Sequence, residues 1–268
     1  MAQDSFIHKS SETNLPVLVS VPHCGTQFPD FLKHHFDPKI ISNPEDTDWE
    51  VQNLYQPVVD EFSFSLIFAK YSRYVVDLNR DRNDTPLYSD GRSITSVTPT
   101  NTFSGKALYQ RGYSPSDTLE RRLVNYYDPY HHQLASSLAA LKSKHGIAIL
   151  IEAHSIKRHV PSINPNPFPD IILGDNQGKS CCQSLTNNVA RSLEMGPFET
   201  SRNQPFKGGF ITRSFGKPDE NIHAFQLEMS QDIYLDESTL KVDENSAQKV
   251  RKQISAIFST IKDYLNQR

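Results

Sequence analysis

The fragment SVPHCG sets His23 just past the apolar run Val17 to Val21, and IAILIEAHS closes another apolar run on His154. YVVDLNR ends in the pair Asn79 and Arg80, and AFQLEMS carries Glu228 near its end. Open α/β sheets bind ligands beyond the carboxyl ends of their strands. These strand ends therefore bring two imidazoles, a guanidinium and a carboxylate to one region. A catalytic zinc site takes about three protein donors from His, Asp, Glu or Cys and keeps one position open for water. His23 and His154 supply two, and the acidic stretch PEDTDWEV offers Asp46 or Asp48 as the third, with Asp48 favoured. Residues two apart on a strand share a face, so Glu152 can orient the His154 imidazole, and Gln226 points with Glu228.

Each of these residues also has a plainer use. A histidine, one of ten in the chain, is commonly a surface or hydrogen-bonded structural residue. Arg80 within NRDRND fits a solvated turn of balanced charge. Asp46 and Asp48 fit helix N-caps ahead of Trp49, and Glu228 fits an edge carboxylate. His34 and His35 in FLKHHF belong to a surface helix, and His131 and His132 in DPYHHQL read as structural. Cys24 beside His23 raises a thiol nucleophile as a rival. Neighbours in an extended segment point to opposite sides, which leaves His23 badly placed to activate it. The glycines of KGGFITRSFG are too irregularly spaced for a phosphate loop. They fit a tight turn beside the site, with Arg213 facing in or out.

The elements that must position these groups alternate along the chain. Strand-like runs span Val17 to Val21, Phe64 to Ala69, Tyr74 to Leu78, Ile147 to Ala153, Ile171 to Leu173, Phe210 to Thr212 and Ala224 to Met229. Several are short and almost wholly apolar, as in a sheet covered on both faces. Between them lie helical patterns: Val51 to Phe62 with a kink expected at Pro57, Leu119 to Leu141 with a kink expected at Pro129, one after Cys181 and Cys182, and Val250 to Tyr264. The fold class is α/β, a mixed, mostly parallel central sheet flanked by helices on both faces. Asp81 to Lys106 and His159 to Pro169 are long polar loops of the kind that carry function. With no repeat or linker in view, the chain reads as a single domain, residues 1–268.

Composition narrows the class further. A net charge of -3 leaves no electrostatic footprint for nucleic acid, and the expected partner is a small molecule. No apolar run is long enough for a signal peptide or a membrane span, which predicts a cytoplasmic protein without a membrane partner. Three cysteines, two of them adjacent, do not make a disulfide framework. Oligomeric state is not legible.

The blocks VPHCGTQFP, DTDW, RYVVDLNR, YYDPYHHQL, IEAHS, PDIILG, FKGGFITRSFG and HAFQLEMSQDIY, in this order, resemble the N-formylglutamate amidohydrolase family, also called N-formylglutamate deformylase. The resemblance implies kinship with zinc carboxypeptidases and aspartoacylase-type deacylases, with one zinc ion at the strand ends. It implies hydrolysis of an N-acyl amino acid, formyl-L-glutamate giving formate and glutamate in histidine breakdown. By position, His23 and His154 match the histidine ligands, Asn79 and Arg80 match the pair that holds a substrate carboxylate, and Glu228 looks like the general base. A second arginine, Arg213, then reads the other carboxylate of glutamate. The wider superfamily carries a carboxylate ligand three residues after the first histidine. Thr26 stands there in this chain, so Asp48 or Asp46 has to complete the zinc site. Other readings of the same residues are a deacylase for a different acyl amino acid, a cysteine amidase using Cys24, and a non-catalytic binding protein.

Overall fold

The computed structural model describes residues 5–10, 15–87 and 95–268. Within them, strands β1 (Phe6–Lys9), β2 (Val17–Val21), β3 (Ser65–Ala69), β4 (Ala148–Ile156), β5 (Ile171–Gly174), β6 (Thr200–Arg202) and β7 (Ile222–Ser230) form one sheet. Their order is β1-β3-β2-β4-β7-β5-β6. The four central strands β3, β2, β4 and β7 are parallel. β1 and β5 run antiparallel to their inner neighbours, and β6 pairs parallel with β5, so the sheet is mixed and mostly parallel, as expected. A small ribbon, β8 (Leu235–Asp236) with β9 (Lys241–Val242), stands apart.

Helices cover both faces. They are α1 (Asp30–Lys33), α2 (Pro38–Ser42), α3 (Val51–Phe62), α4 (Leu119–Arg122), α5 (Asp128–His145), α6 (Gln183–Glu194), α7 (Phe210–Phe215) and α8 (Glu244–Asn266). Strand alternation decides which side chain meets which helix. Val17, Val19, Ile149, Ile151, Phe225 and Leu227 pack with α3, α6 and α8. Leu18, Leu150 and Ala224 pack with Tyr130, Leu134 and Leu138 of α5 and with Ile211 of α7. On β4 and β7 this second face turns polar toward the carboxyl end, where Glu152 pairs in register with Gln226 and His154 with Glu228.

Two strand expectations are overturned. Tyr74 to Leu78 is a buried turn, in which the Val75 N–H donates to Ser72 O and the Asp77 N–H to Val97 O. An apolar run buried on all sides carries no periodicity that separates strand from turn. Phe210 to Thr212 opens α7 instead of forming a strand. Its β-prone residues are overridden because the free N–H groups of this first turn find acceptors in Asn79 and Glu152. The irregularity expected at Pro129 is a π-turn over Leu123–Tyr127, directly before the proline in the first turn of α5. That widened turn relieves the clash and the lost donor that proline brings to a regular helix. α3 continues through Pro57.

The turn after β2 crosses the segment after β3 at very short range. The Gln27 N–H donates to Lys70 O and the Ser72 N–H to Gln27 O. A Cβ on Gly25 would stand 2.3 Å from Tyr71 O, so a side chain there forces backbone apart. Gly25→Ala is expected to cost about 1–3 kcal/mol by overpacking, read as a lowered melting temperature, while Thr26→Ala at the exposed next position leaves the melt unchanged. An unaltered melting curve for Gly25→Ala would show that this close approach is not required.

Candidate active site

β2 delivers its chain into the turn that holds His23, and the Asp48 N–H donates to the His23 carbonyl, tying the acidic stretch to that turn. β4 carries His154 on the α5 face. The side-chain donors of His23, Asp48 and His154 are buried and lie within 4.8 Å of one another. His154 Nδ1 is 2.8 Å from Asp48 Oδ2, and His23 Nδ1 is 3.9 Å from the same oxygen. Each ring is anchored at its other nitrogen: His23 Nε2 is 2.7 Å from Asp77 Oδ1, and His154 Nε2 is 2.7 Å from Glu152 Oε1. Both imidazoles therefore present Nδ1 to Asp48, while a buried carboxylate accepts a hydrogen bond from the Nε2–H.

Those carboxylates are held in turn. Asp77 accepts from Arg73 Nη2 at 2.6 Å and from the Asn79 N–H at 2.9 Å. Glu152 Oε2 accepts from the Thr212 N–H at 2.9 Å and from the Thr212 hydroxyl. Asn79 Oδ1 accepts from the Ile211 N–H at 2.9 Å, which sets its amide so that Nδ2 stands 3.0 Å from His154 Nε2. The Gly209 N–H donates to Gln226 Oε1, and Gln226 Nε2 donates to Glu228 Oε2 at 2.9 Å.

The electrostatics fit a cation. Burial lowers the basicity of His23, and Arg73 adds to that, outweighing Asp77 and Asp48. Burial alone would lower His154 as well, but the Glu152 and Asp48 carboxylates outweigh it and hold the ring well above the ordinary imidazole range. Arg73 and His23 hold Asp77 well below the usual carboxylate range against its burial. Glu228 is pushed up to about 8, by burial first and then by Asp48 and Glu152, against His154 and Arg73. Acidic groups crowd a buried site whose nitrogen and oxygen donors match the preferences of zinc, and each imidazole has the carboxylate partner that metal-binding histidines use. His23, Asp48 and His154 are the residues that can hold such an ion.

These groups line a cavity of about 630 Å³. Glu228, Asn79, Arg80 and Arg73 line it too, together with Thr95, Ser96 and Thr100 to Phe103 from one long polar stretch and Ser162 and Ile163 from the other. Arg80 donates to Thr95 O and Asn79 O. Arg213 is placed otherwise: it donates to Gly208 O and Leu87 O and is not among the cavity-lining residues. Asp46 accepts from the Phe103 N–H and stays out of the His-Asp-His group, and Thr26 is exposed. Cys24 is buried, with Sγ 3.5 Å from Val21 O and Ala69 O, and burial pushes its thiol up, so it has neither access nor a thiolate. His131 stacks on Tyr127 and Phe215 and contacts Leu78 O, a structural placement.

Asp77 and Arg73 were not singled out from the sequence. A signal is present: Asp77 and Asn79 alternate with Val76 and Leu78, and Arg73 shares their parity beyond the apolar Val75.

The N-formylglutamate amidohydrolase family profile matches residues 15–235. The chain belongs to this family. N-formylglutamate deformylase of Pseudomonas aeruginosa is 40% identical over 228 residues, 83% of this chain and 83% of that protein. The enzyme of the same name from Pseudomonas putida is 37% identical over 226 residues, 84% of this chain and 83% of that protein. The crystal structure of N-formylglutamate amidohydrolase from Ralstonia eutropha JMP134 has the same fold, with a TM-score of 0.83 at 23% identity, covering 100% of this chain and 99% of that one. The matched region of the N-formylglutamate amidohydrolase family contains every residue of the cluster, from His23 to Glu228.

The raised pKa of His154 has a measurable consequence. In chelator-treated protein, the protonated ring contributes stability that is complete below the unfolded imidazole value of about 6.5 and lost as pH rises through the higher folded value. Ring-nitrogen NMR at pH 7 should find an imidazolium at His154, and Glu152→Gln should lower its titration. A neutral ring at pH 7 in the chelator-treated protein, otherwise unaltered, would contradict the charge balance described here.

Proposed function

We propose that this chain is a zinc-dependent hydrolase of N-acyl amino acids, with N-formyl-L-glutamate as substrate and formate and L-glutamate as products. The observation that carries the proposal is the convergence of His23, Asp48 and His154, with Glu228 beside them, on one wall of a cavity that Arg80 also lines. The relatives at 40% and 37% identity, named N-formylglutamate deformylases, support the choice of substrate.

His23, Asp48 and His154 would hold the ion through Nδ1, a carboxylate oxygen and Nδ1. Zinc, when bound, supplies Lewis acidity toward the amide carbonyl and brings the pKa of water toward neutrality. Asp77 and Glu152 keep the two rings oriented. Glu228, opposite His154 in the β4–β7 register, takes the proton from the attacking water and returns it to the departing amine nitrogen as the C–N bond breaks. Burial first, and then the Asp48 and Glu152 carboxylates, raise the Glu228 carboxyl, which favours its holding the proton between the two halves of that transfer. Arg80, fixed by Thr95 and the Asn79 carbonyl, clamps a substrate carboxylate, with Asn79 beside it.

Elemental analysis followed by a screen of N-formyl, N-acetyl and N-succinyl amino acids for amine release tests the substrate class, with formyl-glutamate expected to turn over fastest. Glu228→Gln should retain metal and lose about 10²- to 10⁴-fold in kcat. His154→Ala and Asp48→Ala should lose the metal, whereas Asp46→Ala should keep it. Full zinc in the His154 variant, or full activity in the Glu228 variant, would remove that residue from its role.

A further inference from the structure

The other face of the sheet carries a second group of donors that the hydrolytic site does not use. Cys181 and Cys182 lie directly before α6, with Cys182 at its N-cap, and His223 is the second residue of β7. The two sulfurs and a ring nitrogen of His223 lie within 4.8 Å of one another. Cys181 and His223 are buried and Cys182 is partly exposed. No disulfide joins the thiols.

The local backbone holds this arrangement in place. The Ala224 N–H donates to Ser180 O at 2.8 Å, and the Ser180 hydroxyl donates to Ala224 O at 2.9 Å, so the residues flanking the cysteine pair and the histidine are locked together. The Cys182 N–H donates to His223 Nδ1 at 3.3 Å. That bond requires a lone pair on Nδ1 and leaves the ring proton on Nε2, which is buried with no hydrogen-bond partner. The tautomer is the one a cation needs at Nδ1, and a cation there would replace only a long hydrogen bond. The Tyr264 hydroxyl, 3.2 Å from Cys182 Sγ, and the Ser184 hydroxyl, 3.5 Å away, can donate to the sulfur as a thiolate.

We propose that Cys181, Cys182 and His223 form a second cation site, selective for a thiophilic ion such as zinc or copper(I) and separate from the His-Asp-His group. Two thiolates and an imidazole are the donor set that soft and borderline ions take over magnesium or calcium. The partial exposure of Cys182 gives the ion an entry path and room for a water or hydroxyl as a further ligand. Binding releases the thiol protons to solvent and involves no change of oxidation state. His223 and Glu228 are five residues apart on β7, about 17 Å along an extended strand, and they point to opposite faces. An ion at one site therefore does not share ligands with the other.

The test is a cadmium titration of the full chain already loaded with one equivalent of zinc, followed by the sulfur-to-cadmium charge-transfer absorption. The His-Asp-His group has no sulfur, so it is silent in this readout. One further equivalent per chain, with a band that saturates at that point, is expected. Cys181→Ser with Cys182→Ser should abolish the band while turnover of formyl-glutamate is unchanged, and His223→Gln should weaken cadmium binding at least tenfold. Cys24→Ser should leave the band as it is. Absence of the band in the unaltered chain, its survival in the double serine variant, or its loss in Cys24→Ser would each overturn the site.

Discussion

The pairing of two buried imidazoles with two buried carboxylates, His23 with Asp77 and His154 with Glu152, is the constraint on which the site depends. An imidazole offers two nitrogens, and only a fixed partner at one of them determines what the other presents. With Nε2 engaged, both rings turn Nδ1 toward Asp48. The carboxylates are costly to bury, and each is compensated: Asp77 by Arg73 and a backbone N–H, Glu152 by the N–H and hydroxyl of Thr212. Removing one partner would leave a charge uncompensated rather than merely loosen a ring.

This requirement reaches well beyond the site. The parallel register of β4 against β7 puts Glu152 beside Gln226 and His154 beside Glu228, and a one-residue slip of either strand would send its polar pair toward the aliphatic core on the other face. The short α7 is docked by its own unpaired N–H groups, which Asn79, Glu152 and Gln226 accept at or just before its first turn. The backbone thus completes the polar network that the strands begin. The buried turn at Tyr74 to Leu78 belongs to the same design. Its aromatic and aliphatic side chains fill the core beneath α5, while Arg73, Asp77 and Asn79 reach the site from the same segment.

The sheet also separates the two clusters whose side chains could hold a cation. Aliphatic side chains alternate with the polar ones along β4 and β7, so the α3, α6 and α8 face is continuous core along most of its length. Near the amino end of β7 that face receives Cys181 and Cys182, next to His223. His154 and Glu228 occupy the carboxyl ends of β4 and β7 on the opposite side, where the geometry of parallel sheets favours a ligand.

Most of the framework was legible along the chain because it rests on local regularities. Alternation within IAILIEAHS and AFQLEMS predicted that Glu152 would orient His154 and that Gln226 would accompany Glu228, and both contacts are present. The apolar strand runs and helical stripes likewise identified a mixed sheet covered on both faces. By itself the sequence determined the strand ends, the residue types placed there and the resemblance that links them. Tertiary structure alone decided which of two nearby aspartates meets the imidazoles, that Arg213 turns to carbonyls while Arg73 faces the cavity, and that Phe210 to Thr212 becomes helix. The reason is the same each time: these outcomes depend on partners distant in sequence. Asp48 meets His154 across 106 positions, Ile211 meets Asn79 across 132, and no local pattern encodes such a meeting.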